Sequence, residues 1–160
     1  MTNDAQRDAL KITIYVLAVF AAFYLGSFAY MSLASKKPRG SSLKDGRLES
    51  CPGTPNCVLS EEKGKSSYIE PFPIKGAAGE EWAKMEVAVV KLGGKVEADT
   101  GTYLRATFRS RFWRFVDDLE LRLDKQENVI HVRSASRVGK GDLGVNRKRV
   151  EELRKIFNGK

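Results

Sequence analysis

The residues able to do chemistry in this chain are few and fall in three places. Cys51 and Cys57 are the only two cysteines, at the ends of Cys-Pro-Gly-Thr-Pro-Asn-Cys. Two prolines and a glycine turn that segment and bring its ends together, so a disulfide closing a small loop is expected. The alternative is a turn carrying two free thiols. His131 is the single histidine, too little with two cysteines for a structural zinc site inside the chain. The reading assigns no metal and no other cofactor. The second place is Arg133-Ser-Ala-Ser-Arg-Val-Gly-Lys-Gly-Asp-Leu-Gly-Val-Asn-Arg-Lys-Arg149, which leaves a strand, turns through glycines and enters a helix. From Arg133 to Lys155 eight residues are basic and three acidic. Backbone N–H groups at a helix start, serine hydroxyls and guanidiniums suit an anion or an acidic partner, which makes Arg133, Ser134, Ser136, Arg137, Asn146 and Arg147 the candidate site. The third place is Arg109-Ser-Arg-Phe-Trp-Arg-Phe115. Its Arg111, Phe112, Trp113 and Arg114 fit a membrane-surface turn, because indole and guanidinium both sit well at headgroup depth.

Each pattern has a competing reading. The glycine-rich segment lacks the Walker spacing, and Gly139-Lys-Gly-Asp-Leu-Gly144 is no dinucleotide fingerprint. Asp142 stands where an anion would bind and would repel it. Asp117, Asp118 and Asp142 therefore belong either to the site or to a polar lock joining the strand end to the following helix. The aromatic turn could instead complete the edge of the core or stack on single-stranded nucleic acid. No nucleophile is paired with a base in an identifiable motif, so the reading favours a non-enzymatic domain. The alternative is an enzyme acting on an anionic substrate, with Asp118 or Asp142 as acid/base and Arg133 and Arg137 as clamps.

Positioning these groups falls to a membrane segment and one small domain. Residues 12–33 read ITIYVLAVFAAFYLGSFAYMSL without a charge. As a helix they would span about 33 Å, enough for a hydrocarbon core of about 30 Å. Lys36, Lys37 and Arg39 follow at its exit. A cleaved signal peptide would have a shorter apolar run and a clearer small-residue site. The organisation is thus an N-terminal tail (1–11), a transmembrane helix (12–33), a linker (34–50) and a soluble domain (51–160). The net charge of +8 lies wholly beyond the tail, whose two cations and two anions cancel. Held at a bilayer, a basic domain is drawn to anionic headgroups. Membrane lipid or another membrane protein is the expected partner, and nucleic acid is not. The flanking positive charge favours a cytoplasmic domain, whereas a disulfide favours an oxidising compartment. The reading places the chain in the cell (inner) membrane as a single-pass protein with an extracytoplasmic domain.

The domain reads as α+β: helix, four-stranded antiparallel sheet, helix. The first helix covers Gly79 to Leu92, with Trp82, Met85, Val89 and Leu92 at helical spacing and Gly93-Gly94 ending it. Strands follow at Lys95–Asp99, with Val96 and Ala98 on one face, and at Tyr103–Arg109, Asp117–Leu123 and Val129–Ala135. A turn at Asp124–Glu127 sets Leu121 against Ile130, Leu119 against Val132, Asp118 against Arg133 and Glu120 against His131. The last helix starts at Asp142 as N-cap and buries Leu143, Val150, Leu153 and Phe157. Both helices cover the apolar face. The other carries Tyr103, Arg105, Thr107, Arg109, Asp118, Glu120, Arg122, His131 and Arg133 and is expected to be wet and salt-bridged, or else a binding surface.

Taken together, Cys-Pro-Gly-Thr-Pro-Asn-Cys-Val, Phe115-Val-Asp-Asp118, Arg133-Ser-Ala-Ser-Arg-Val-Gly139 and Asp142-Leu-Gly-Val-Asn-Arg147 resemble a bacterial and plastid family known as domain of unknown function 1499. The likeness runs from about Leu48 to Phe157. It implies a secreted, lumenal or membrane-tethered protein without an established activity. It singles out Asp117, Asp118, Arg133, Ser136, Arg137, Asp142 and Asn146.

Overall fold

The computed structural model describes residues 2–37, 40 and 43–159. Arg39, counted above among the cations at the helix exit, lies outside them, as do four other residues of the chain's linker and termini and Met1. The first helix, α1 (Thr2–Ser35), contains the whole charge-free run. It is long and apolar enough to cross a membrane, and the rest of the protein does not cover its most apolar stretch. Among the described residues two further helices follow, α2 (Ala78–Lys91) and α3 (Val145–Phe157).

Among the described residues six strands form the main sheet, not four. The four expected strands are present as β5 (Lys95–Asp99), β6 (Tyr103–Arg109), β7 (Val116–Asp124) and β8 (Val129–Ser136). Beyond β8 the sheet is completed by two short strands on one edge, β3 (Cys57–Leu59) against Arg133–Ala135 and β4 (Phe72–Pro73) against Val129 and Ile130. Both are too short to show an alternation in sequence, although Phe72 is extended because a proline follows it. Pro73 tolerates this place because an edge strand can dispense with an N–H. A separate hairpin, β1 (Leu43–Lys44) and β2 (Arg47–Leu48), occupies part of the expected linker. Its turn is Asp45-Gly46, with φ of 51° and 75°, the two left-handed positions that a two-residue hairpin loop needs.

Inward residues of the sheet, among them Leu104, Phe108, Leu119, Leu121, Ile130 and Val132, pack with Trp82, Met85 and Val89 of α2 and Val150, Leu153 and Phe157 of α3 in one core. Both helices thus lie on the apolar face, as the pattern requires. Gly94 ends α2 where the helix meets β6. A Cβ there would come within 2.8 Å of the Phe108 and Val89 side chains, so only glycine permits that approach.

Three local expectations are corrected. The β7–β8 register pairs Leu121 with Val132, Leu123 with Ile130, Glu120 with Arg133 and Arg122 with His131. The loop keeps four residues but moves one place on, to Lys125–Asn128. Asp124 Oδ1 accepts hydrogen bonds from the Gln126 and Glu127 amides, and Asn128 takes the left-handed place at φ 56°. The shift of two still matches inward with inward residues, so burial alone could not choose between the registers. In β5 a bulge between Val96 and Ala98 sets Val96 against Ala106 but Ala98 against Arg105, on opposite faces. The last helix begins at Val145 after a left-handed Gly144. Leu143 sits in the preceding turn at φ 54° and is 97% exposed. Asp142 still serves the helix start, accepting from the Gly144 and Asn146 amides.

Cys51 and Cys57 are bonded, with Cα atoms 5.7 Å apart. The bond closes the loop that delivers Asn56 and starts β3. Reduction is expected to cost about 2–3 kcal/mol on the loop-entropy account, read as a shift of the urea midpoint with and without reductant. A Cys51→Ser/Cys57→Ser variant should show the same loss and no response to reductant.

Candidate functional site

The sheet face expected to be wet is covered. Leu48 of the hairpin packs on Leu59 and Tyr103, and Asp118, Glu120, His131 and Arg133 are all buried. Charges enclosed this way persist only if paired, and they are. Glu120 accepts from the Tyr103 hydroxyl and from Arg133 Nη1, the latter at 3.1 Å. Arg122 Nε donates to Glu61 Oε1 at 2.6 Å, and Glu61 also accepts from Arg47 and the Leu48 amide. This last set fastens the β1–β2 hairpin across the sheet.

His131 lies under the same cover. Its Nδ1 is 3.0 Å from Ser60 Oγ. Burial holds its pKa below 6.5, Glu61 and then Arg122 acting as smaller opposed influences. A depressed imidazole contributes stability that is complete above its unfolded value and fades as pH falls towards its folded one. Stability is therefore expected to decline as pH drops below about 6.5, and the decline should be shallower in His131→Gln, measured by urea unfolding across that range. Asp124, Glu127 and His131 bring one donor atom each within 4.8 Å of one another. An ion there would compete with the Arg122 guanidinium, 3.1 Å from Asp124 Oδ2, and with the two turn amides on Oδ1.

The six residues of the candidate anion site do not converge. Arg133 faces Glu120, whereas its neighbour Ser134 points the other way and donates to Asn146 Oδ1 at 2.7 Å. Arg147 reaches the Tyr68 and Ser66 carbonyls, both at 3.0 Å, tying α3 to a surface loop. Asn146, fully buried, is the hub of the remainder. Its amide donates to the Asn56 carbonyl, Ser136 Oγ and Asp142 Oδ2, and its carbonyl accepts from Ser134 and Arg149. Arg149 continues to Asp117 Oδ2 at 2.6 Å. Asn56 closes the circle by donating to the Gly139 carbonyl. Asn56 and Arg149 take part although neither was singled out from sequence. A lock joining the disulfide loop, the end of β8 and the start of α3 accounts for these contacts.

Arg137 has a different task. It holds Asp118 with a two-pronged grip, Nε to Oδ2 at 2.8 Å and Nη2 to Oδ1 at 2.6 Å. The pairing raises the Arg137 pKa still further against the opposing effect of burial. Its remaining donor, Nη1, reaches the carbonyls of Ser35 and Lys37 at 3.1 and 2.8 Å. A helix C-terminus leaves carbonyls without partners and carries partial negative charge, so a guanidinium held there satisfies both. Ser35 Oγ in turn accepts from the Val116 amide at 3.2 Å. The end of α1 is thereby fastened to β7 and to the segment after β8.

The aromatic turn meets α1 from the side. Trp113 stacks on Phe28 with ring centroids 4.8 Å apart, and Phe115 lies 6.2 Å from the same ring. Ser110 closes the turn, its Oγ accepting from the Phe115 amide, and Arg114 adopts φ 55°. Phe112 is 89% exposed and Trp113 38%. Phe115 is half-buried beside Phe28 of α1 and Phe112 stands exposed, and neither belongs to the main core cluster.

An antiparallel sheet with two helices on one face, paired charges under a covered second face and an apolar helix docked at one end defines a small α+β domain with an appended N-terminal helix. The chain belongs to the family described as Protein of unknown function (DUF1499), whose model matches residues 47–157. That span holds the main sheet, α2 and α3 but not α1. Comparison with the curated proteins finds no match.

Proposed function

We propose that the chain is a membrane-anchored accessory domain that engages anionic lipid through its Arg111–Arg114 turn. The observation that carries this reading is the stack of Trp113 on Phe28. Phe28 lies seven residues before the end of α1, about 10 Å along the axis. If α1 crosses a bilayer, the turn stacked on it is carried to headgroup depth together with Phe112, Arg111 and Arg114. Exposed aromatics beside arginines suit that layer, and each cation there contributes about 1 kcal/mol against an anionic surface. The Cys51–Cys57 bond favours an extracytoplasmic side. The enzymatic alternative draws no support from Asp118, Arg133 and Arg137, whose charges are spent on one another and on Glu120.

Flotation of a chain beginning at residue 34, which keeps the family-matched span, tests the lipid reading. It should float with vesicles rich in phosphatidylglycerol, less at high salt, and about fivefold less for each of Arg111→Gln and Arg114→Gln. Equal flotation with neutral and anionic vesicles would exclude anionic lipid as the partner.

A further inference from the structure

Beside the docked turn lies a cavity of about 230 Å³, bounded by Phe28 and Met31 of α1, Ser110 and Phe115 of the turn, Asp117 and Ser136 of the sheet, and the 138–145 loop. It is smaller than the usual pocket for a drug-sized molecule, and its two walls differ. Phe28, Met31, Phe115, Val138 and Val145 are apolar. Asp142, also on the lining, has both oxygens taken by the Gly144 and Asn146 donors, and among the described residues the other polar groups leave hydrogen bonds unused. Among the described residues, Asp117 engages Arg149 through Oδ2 alone. The Oγ atoms of Ser110 and Ser136 accept from Phe115 N and Asn146 Nδ2, which leaves each hydroxyl hydrogen free to be donated. A carboxylate oxygen wants a donor, and two hydroxyls want an acceptor. A Cβ added at Gly141 would meet open space.

We infer that this cavity binds the headgroup of an amine-bearing phospholipid of the ethanolamine type, an inference that rests on the membrane-anchored reading above. The ammonium group would donate to Asp117 and the phosphate would accept from Ser110 and Ser136. Depth supports a lipid as the source: Met31 and Phe28 stand four and seven residues before the end of α1, about 6 and 10 Å along its axis, where headgroups lie if the helix spans the bilayer. Charge complementarity chooses the headgroup. A purely anionic lipid would bring nothing for Asp117. Phosphatidylcholine has the same net charge as phosphatidylethanolamine but no N–H to donate. The arginines of the turn attract the anionic surface at large, and the cavity selects within it.

The test uses the full chain reconstituted into nanodiscs of equimolar phosphatidylethanolamine, phosphatidylcholine and phosphatidylglycerol, followed by mass spectrometry of lipids retained on gentle release. Phosphatidylethanolamine should be retained about tenfold over phosphatidylcholine, the worth of one charge-assisted hydrogen bond. Met31→Phe, which fills the cavity from the helix side, should reduce that ratio to about one while leaving Trp113 accessible to lipid-borne quenchers. Val138→Phe serves the same purpose should the first variant fail to insert. Equal retention of the two zwitterionic lipids, or a preference that survives both substitutions, overturns the assignment. Predominant retention of phosphatidylglycerol also overturns it, while leaving the anionic-surface reading intact. Loss of Trp113 quenching in the unaltered chain would instead count against the anchored reading itself.

Discussion

Arg137→Ala is expected to lower the unfolding free energy by about 3–5 kcal/mol, the range for removing one partner of a buried ion pair. Asp118 is 3% exposed through its side chain and Arg137 7%, so the abandoned carboxylate would have neither solvent nor partner. The same substitution removes Nη1 from the Ser35 and Lys37 carbonyls and should loosen α1 from the domain. Two readouts separate these effects. Urea unfolding gives the stability loss, and hydrogen exchange at Val116, whose amide donates to Ser35 Oγ, reports the docking. Asp118→Ala should cost a similar amount, and the double variant should cost clearly less than the sum, because the singles share one interaction. Additive losses would mean that the pair is not the unit described here. Arg137→Lys should recover only part, since an ammonium cannot grip both carboxylate oxygens and still reach the helix end.

Asn146→Ala is the second large effect, about 3 kcal/mol. Alanine here would strip one of two donors from the buried Asn56 carbonyl, leave the Ser134 hydroxyl hydrogen without its acceptor, and remove one of the contacts of Arg149. Each buried polar group left unpaired costs about 1–3 kcal/mol. The loss is shared by segments far apart in sequence, so protection should fall together at the amide of Ser136, which donates to Asn56, and in the first turn of α3. Asn146→Asp sharpens the test, because it keeps the shape, discards the donors to Asn56 and Ser136, and sets a second carboxylate beside Asp142. It should destabilise at least as much as alanine at neutral pH. A variant close to the parent would mean that these contacts are decoration.

Much of the fold was legible because period-two and period-3.6 patterns are strong where elements are long. Strands β5 and β6 match their expected limits, β7 and β8 differ by at most one residue at an end, and α2 starts and stops one residue early. Short elements carry no such period. β3 and β4 are strands because β8 has a free edge to offer them, a fact of tertiary structure. The β1–β2 hairpin did leave a mark, the Asp45-Gly46 dipeptide between Leu43-Lys44 and Arg47-Leu48, which polar surroundings disguised as linker. Missing it had the largest consequence, since Leu48 helps to cover the face read as wet. Helical spacing places Leu143 inside, but it precedes a left-handed glycine and so falls outside the helix.

The site was legible as positions rather than as chemistry. Arginines, serines and an asparagine near a helix start describe an anion site and an internal lock equally well, because both use the same donors. Their partners decide, and those lie far away: Asp118 and Ser35 for Arg137, Asn56 for Asn146. The aromatic turn was the reverse case. Its composition suggested a membrane surface, and only the structure supplies the contact with Phe28.

Depth-resolved quenching of Trp113 by brominated phospholipids, in the full chain reconstituted into vesicles, tests the central claim most directly. Trp82, the other tryptophan, is buried and bonded to Asp99, so quenching reports position 113. Strong quenching by bromines near the carbonyl region, weakening towards the chain ends, is the predicted result. Emission indifferent to the brominated lipids would contradict it, because a turn docked on a bilayer-crossing helix at Phe28 cannot stand clear of the membrane.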